Sequence, residues 1–250
     1  MPGVAGNMNS LIEFLKQHEG TVFVNEDVLR SEFSLLPALS EDELVAISRK
    51  LPCPIPEDIR ELLMFASGFE GTWMEQISFA PVHGFFGFEK IFPHAVELAN
   101  DGAGNYWVVD LTKESQCWGP IFFACHDAPV IVYQADDLLH FVREVVREGS
   151  RPWRSEIGDV RGRFSDQIWN DNPGVLSFSH CVNSLDQELK SFAESLDETW
   201  LFVDLRNPLL GDGFSWGRYG PKTNVQRFGE KRIFAYQKKS LGRRVLDAIR

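Results

Sequence analysis

Cys125-His126-Asp127 sets three side chains able to hold a metal ion in a row. On an extended chain neighbouring residues point to opposite faces, so the three cannot meet one ion. A zinc site would need further ligands from Cys117, Cys53 or another histidine, at no recognisable spacing. A buried cysteine followed by a polar turn ending at Pro129 is the simpler reading. Asp101-Gly102-Ala103-Gly104-Asn105 has the glycines of a nucleotide loop, but it precedes a strand instead of following one and opening a helix. It also lacks the Lys-Ser/Thr of a phosphate loop. As a calcium loop it would need glycine where Tyr106 stands and glutamate where Thr112 stands. It reads as a turn. The histidines (His18, His83, His94, His126, His140 and His180) sit in no motif with a nucleophile, and no Gly-x-Ser-x-Gly elbow occurs. A Ser/His/Asp set is defined by geometry and not by spacing, so it stays open. Asp110 and Asp127 are isolated candidates for a carboxylate pair, and Asp110, at a strand end, reads more simply as a residue that orders a turn. No pattern asks for a metal or a cofactor.

Two groups remain in the last third of the chain. Lys231-Arg232, Lys238-Lys239 and Arg243-Arg244 lie near Phe234 and Tyr236, an interleaving that can bind single-stranded nucleic acid. The charge density is modest, and a solvated helix face explains Lys239, Arg243 and Arg244 equally well, so nucleic acid is disfavoured. The segment Trp200 to Tyr236 is rich in Trp, Gly and Arg, and Asp204, Arg206, Arg218 and Tyr219 are the residues an enzyme there would use.

The elements that must position these residues follow from caps, breakers and periodicity. Ser10 and Glu13 form a capping-box pattern and Gly20 a stop, giving a short first helix. Thr21 to Val24 is a brief strand. Ser40 and Glu43 repeat the capping box ahead of Leu44, Ile47 and Leu51, for a helix over 41–50. Pro56, followed by Glu57 and Asp58, opens a helix with the stripe Ile59, Leu62, Leu63 and Ala66, and Gly68 closes it. Ile77 to Ala80 reads as a strand and Phe88 to Leu98 as a helix interrupted at Pro93. Tyr106–Leu111, Pro120–Cys125 and Val130–Tyr133 are strands joined by short loops, an antiparallel meander. Asp136 caps a helix that carries Leu138, Leu139, Val142, Val145 and Val146 and ends at Gly149. Gly149 to Pro152 is a boundary. Beyond it, Ser184 and Gln187 cap a helix, Trp200–Asp204, Phe214–Trp216 and Ile233–Tyr236 are strands, and Leu241, Val245, Leu246 and Ile249 suggest a terminal helix.

The 250 residues carry 25 Lys+Arg and 36 Asp+Glu, a net charge of −11, with 44% hydrophobic residues. This is a globular composition with neither a disordered-tail nor a cysteine-dense signature. Residues 1–150 hold 9 basic and 23 acidic residues, a net of −14; residues 151–250 hold 16 and 13, a net of +3, rising to +7 over residues 201–250. Such a split suggests two units. The acidic first unit opposes nucleic acid and favours a basic partner, although excess acid also serves plain solubility. Cys53, Cys117, Cys125 and Cys181 form no Cys-x-x-Cys pair and read as buried, reduced thiols. No basic n-region opens the chain and no run approaches about 18 apolar residues. The expected place is therefore the cytoplasm, away from the membrane.

Three segments resemble the SUKH superfamily, which includes the Smi/Knr-type cell-wall regulators. Leu51-Pro52-Cys53-Pro54-Ile55-Pro56-Glu57-Asp58-Ile59-Arg60-Glu61-Leu62-Leu63, ending near Gly68, is similar to the family's leucine-proline, proline-acid-acid helix start. Gly104-Asn105-Tyr106-Trp107-Val108-Val109-Asp110-Leu111 is similar to its glycine-aromatic-aspartate strand. Gly119-Pro120-Ile121-Phe122, His126-Asp127, Val132-Tyr133 and the helix from Asp136 are similar to its last strands and closing helix. The asparagine-glycine common after the third helix is Ser67-Gly68 here. The resemblance covers about residues 1–150 and leaves 151–250 as a C-terminal α+β extension or a small second unit. It implies an α+β fold, a mixed and largely antiparallel sheet flanked by helices. It also implies binding without catalysis: many bacterial members look like immunity proteins that neutralise toxins, and fungal members are regulatory interaction proteins. The expected partner is a protein, a basic toxin in the immunity version. The expected contacts are Glu70, Trp73, Glu75 and Asp101, on loops near helix and strand ends, with Trp73 either an interface anchor or a core residue. Oligomeric state is not encoded in these patterns.

Overall fold

The computed structural model describes residues 5–24, 30–74, 76–81, 88–113, 115, 118–220 and 222–238. The first part runs through helix α1 (Ala5–His18), strands β1 (Val22–Val24), β2 (Arg30–Glu32) and β3 (Ser34–Leu35), and helices α2 (Glu41–Ser48) and α3 (Glu57–Phe65). Strands β4 (Gly68–Glu70), β5 (Gln76–Ser78), β6 (Ala95–Asn100), β7 (Tyr106–Asp110), β8 (Ile121–Cys125) and β9 (Val130–Ala135) follow, and helix α4 (Leu138–Glu148) closes it. The second part holds α5 (Glu156–Asp159), a π-helical turn (Val160–Phe164), α6 (Ser165–Asn170), β10 (Leu176–Ser177), α7 (Phe178–Val182) and α8 (Gln187–Glu194). It ends with β11 (Trp200–Asp204), β12 (Gly213–Phe214), β13 (Val225–Arg227) and β14 (Ile233–Gln237). The expected terminal helix over 241–249 lies outside the described residues.

Several elements form for the local reasons their sequences carry. Ser40 and Glu43 make the capping box of α2. Pro56 precedes the first turn of α3, where Glu57 and Asp58 face the positive end of the helix dipole, and Ile59, Leu62 and Leu63 are buried. Other local readings change. The first helix starts at Ala5, so Ser10 lies inside it. The cap of α4 is Asp137, whose carboxylate accepts from the His140 N–H at 2.9 Å. Asp136 instead accepts from the Tyr133 hydroxyl at 2.5 Å. The cap of α8 is Asp186, not Ser184. Gly68 is not a helix stop; α3 ends at Ala66 in extended geometry and Gly68 opens β4. Glycine is required there because a Cβ would lie 2.0 Å from the Ile77 carbonyl oxygen on β5.

The expected helix over 88–98 is a strand from Ala95 onward. Pairing with β7, from Ala95↔Asp110 to Asn100↔Tyr106, satisfies its backbone and buries Val96, Leu98 and Ala99. That tertiary gain overrides a weak helical pattern already broken by Pro93. The meander is confirmed: the five-stranded sheet has the order β12-β9-β8-β7-β6. Every strand pair among the described residues is antiparallel, so the sheet is not mixed. The architecture is α+β.

The arrangement of layers follows from the alternation of side chains along each strand. Trp107 and Val109 of β7, Ile121 and Phe123 of β8, and Val130 and Val132 of β9 face α1, α3 and α4 in one core. Val108, Phe122, Ala124, Ile131 and Tyr133 point to the other side. There they meet Leu201 and Val203 of β11, Phe214 of β12, and Phe234 and Tyr236 of β14 in a second core. The second sheet, in the order β10-β11-β14-β13, therefore lies face to face with the first. Its outer face, carrying Phe202, Ile233 and Ala235, is covered by α7 and α8 through Leu189, Phe192 and Ala193. The result is four layers: helices, sheet, sheet, helices. The two parts also share a sheet, because β12 pairs with β9 through Gly213↔Val132 and Phe214↔Ile131. The Tyr133 N–H donates to the Asp212 carbonyl at 2.7 Å, and the Gly211 N–H to the Tyr133 carbonyl at 3.2 Å. A Cβ on Gly213 would lie 2.0 Å from the Ile131 carbonyl oxygen, so only glycine allows this approach.

Candidate protein-binding surface

The described members of the expected contact set, Glu70, Trp73 and Asp101, each have partners of their own within the chain. Trp73, on the loop after β4, is half-buried and packs edge-on against Trp107, with ring centres 5.9 Å apart. The Arg161 guanidinium from the π-helical turn covers its ring at 5.0 Å. Trp73 is thus held inside the first core. Asp101 orders the β6–β7 turn: its carboxylate accepts from the N–H groups of Ala103 and Asn105 and from the Asn105 side chain at 2.7 Å. Asn105 in turn accepts from the His126 N–H at 2.9 Å. The turn reading of this loop holds, and the Asp101 oxygens are already occupied. Glu70 is exposed at the end of β4, beside the Ser34 hydroxyl. Glu75 lies outside the described residues.

Of the candidate chemical groups, Cys125 is buried, while the adjacent His126 and Asp127 side chains are 71% and 77% exposed. Cys125 ends β8 pointing inward, whereas His126 and Asp127 lie in the following turn and approach each other to 3.6 Å at the surface, so the three do not meet at one point. No group of metal-ligating side chains occurs among the described residues. Cys53, Cys125 and Cys181 are buried and unpaired, and burial pushes the Cys181 thiol up to about 11. Asp204 and Arg206 belong to an ion cluster at one end of β11, where Arg206 also binds Asp186 at 2.6 Å and Glu188 at 2.7 Å. The Arg206 hydrogen bond is the main cause holding the Asp186 carboxyl below its usual range. Arg218 donates to the main-chain carbonyls of Trp169 and Asn170, and Tyr219 stacks on Tyr236 near the other end of β14. The extension does not join these four side chains in one cleft.

Asp110 is the residue whose role the sequence concealed. Its carboxylate is fully buried at the end of β7 and binds two guanidinium groups from the extension. Arg227 is bidentate, at 2.7 and 2.9 Å, and Arg232 adds a bond at 2.7 Å. Arg227 also donates to the carbonyls of Ile91, Glu230 and Lys231 and lies over the Phe234 ring. A buried carboxylate with matched guanidinium geometry is the form in which such a charge is tolerated. No local pattern links positions 110 and 227. One signal did exist: Ile121 to Cys125 has no polar face, which in an antiparallel meander means that both sides are covered.

The meander backed by helices, with one face covered by a second sheet and one edge closed by β12, defines an α+β domain with a built-on extension. Residues 38–144, from just before α2 into α4, match the SMI1 / KNR4 family (SUKH-1). The match is consistent with the SUKH resemblance that the motifs of this region carry. The match includes Asp110 and excludes Arg227 and Arg232. No curated protein and no solved structure matches the chain. No helix among the described residues is long and apolar enough to cross a membrane.

Proposed function

We propose that this chain is a non-enzymatic protein-binding module whose SUKH-like region holds a basic protein partner, in the manner of an immunity protein that neutralises a toxin. One observation carries the reading: several cations of the extension are taken up by groups of this chain. Arg227 and Arg232 bind Asp110, Arg206 and Lys231 bind carboxylates of the extension itself, and Arg218 binds main-chain carbonyls. Two of these cations meet the net charge of −14 on residues 1–150 at Asp110, and much of the rest of that charge lies on exposed carboxylates such as Glu41, Asp42, Glu57 and Glu61. A surface of one sign steers encounter with the opposite sign. A basic toxin encoded beside this gene is expected to co-purify with the full chain at low salt. Its affinity should fall steeply as the screening length drops toward about 8 Å. Absence of binding at low salt to any neighbouring toxin removes the immunity reading, and a gene lying outside toxin loci supports a regulatory role instead.

A further inference from the structure

We propose that the outer face of α2 and α3 is the docking surface for that basic partner, an apolar centre edged by carboxylates. The assignment rests on the binding reading above and adds its location. Three other surfaces of the SUKH-like region are already taken. The second sheet covers one face of the five-stranded sheet, β12 closes the β9 edge, and β5 runs beside β6. The outer face of α2 and α3 is among the surfaces that stay open.

On α2, Glu41 and Val45 share a stripe at i,i+4 that ends at the exposed cation Arg49, and on α3, Glu57, Glu61 and Met64 share one at i,i+4,i+7. Val45 is 45% exposed and Met64 46%. An ion pair between Arg60 and Glu41 ties the two helices together and neutralises the cation between them. Asp42, Glu57 and Glu61 have no ion-pair partner among the described residues. A lone exposed aliphatic carries no information. Here two lie on adjacent helices joined by an ion pair and are edged by unpaired carboxylates. That combination fits a polypeptide surface that alternates Lys or Arg with aliphatic side chains, against which methionine adapts well. It repels nucleic acid and anionic lipid.

The test maps a probe onto the isotope-labelled full chain by amide chemical shifts at low salt. The probe is an amphipathic Lys/Leu peptide of about 15 residues, long enough to form a helix. A Lys/Ser peptide of equal charge is the control. The expected result is perturbation centred on 41–48 and 57–65, with the Lys/Ser peptide binding roughly tenfold more weakly. Glu57→Lys with Glu61→Lys should reduce Lys/Leu binding by a similar factor. Met64→Ser should do so for the Lys/Leu peptide alone, without disturbing the core because the side chain is exposed. Shifts centred on the 97–105 hairpin or on α1, or equal affinity for the two peptides, overturn the location while leaving a basic partner in place. If neither peptide binds anywhere on the chain, the basic-partner reading falls with it.

Discussion

Asp110 offers the sharpest test of how the extension is attached. Its side chain is 0% exposed, that of Arg227 is 5% exposed and that of Arg232 21%. Asp110→Ala removes the only carboxylate among the described residues that either guanidinium meets and strands the Arg227 charge in the interior. Breaking a buried pair by deleting one partner costs about 3–5 kcal/mol. Two features place this site toward the lower end. Arg227 keeps three carbonyl acceptors, and Arg232 can turn toward water. Asp110→Asn keeps shape and one acceptor while losing the charge, and should cost about 2–3 kcal/mol, the scale of charge-assisted hydrogen bonds. Urea unfolding measures both. The double variant Asp110→Asn with Arg227→Met should cost less than the sum of its parts, because it removes the stranded charge along with its partner. Hydrogen exchange should locate the loss at β12–β14 and at the facing strands β7–β9 together, because the second core joins them. A cost below about 1 kcal/mol for Asp110→Ala, or a coupling energy near zero, would refute the view that this ion triad holds the two sheets together.

Four further outcomes follow from the packing. Gly213→Ala drives a Cβ into the Ile131 carbonyl and should lower stability by about 1–3 kcal/mol in thermal unfolding. Gly102→Ala, with open space at a φ of +73°, should cost only the left-handed backbone penalty of about 1–2 kcal/mol. Trp73→Ala should destabilise the chain by about 3 kcal/mol, whereas a Trp73 that served only a partner would leave the melting curve unchanged. Cys181 should resist alkylation at pH 8 in the native state and react freely in urea. Its thiol is pushed above its ordinary value near 9 to about 11 by burial, so the neutral form is favoured in the fold. Stability is accordingly unaffected by this group below about pH 9 and declines as pH rises toward 11. Rapid native-state labelling would contradict that burial.

Legibility in the sequence tracks the range of the interactions concerned. Ser40 with Glu43, Pro56 with its two acids, and the β-former-rich runs at 106–110, 121–125 and 130–135 act within a few residues, and they recur in the structure. Where a local signal had a close competitor, geometry chose between them. Asp137 took the cap from Asp136, and Asp186 took it from Ser184, because one backbone N–H end can be satisfied from only one of two neighbouring positions. Gly68 shows the same ambiguity at a larger scale. A glycine after an amphipathic helix reads as a stop, yet its place is decided by a carbonyl on a strand nine residues further on.

The candidate contacts were less legible. Trp73 and Asp101 were chosen as loop residues near strand ends, and they are indeed on loops, but their partners are Trp107, Arg161 and Asn105. A tryptophan or a carboxylate has the same local signature whether it turns to solvent or inward.

By itself the sequence determined most of the helix and strand alphabet of the SUKH-like region, the motifs of its resemblance, and a division of charge between the first 150 residues and the rest. Each of these is written in spacing or composition. Only the tertiary structure decided where that charge goes. It placed a second sheet on the face that Phe122 and Ile131 present, threaded Gly213 against β9, and closed two arginines over Asp110. Those contacts span about a hundred residues and depend on burial that no local window contains. A carboxylate that reads as a turn residue at the end of a strand is, in the folded chain, the point where the acidic domain and the basic extension neutralise each other.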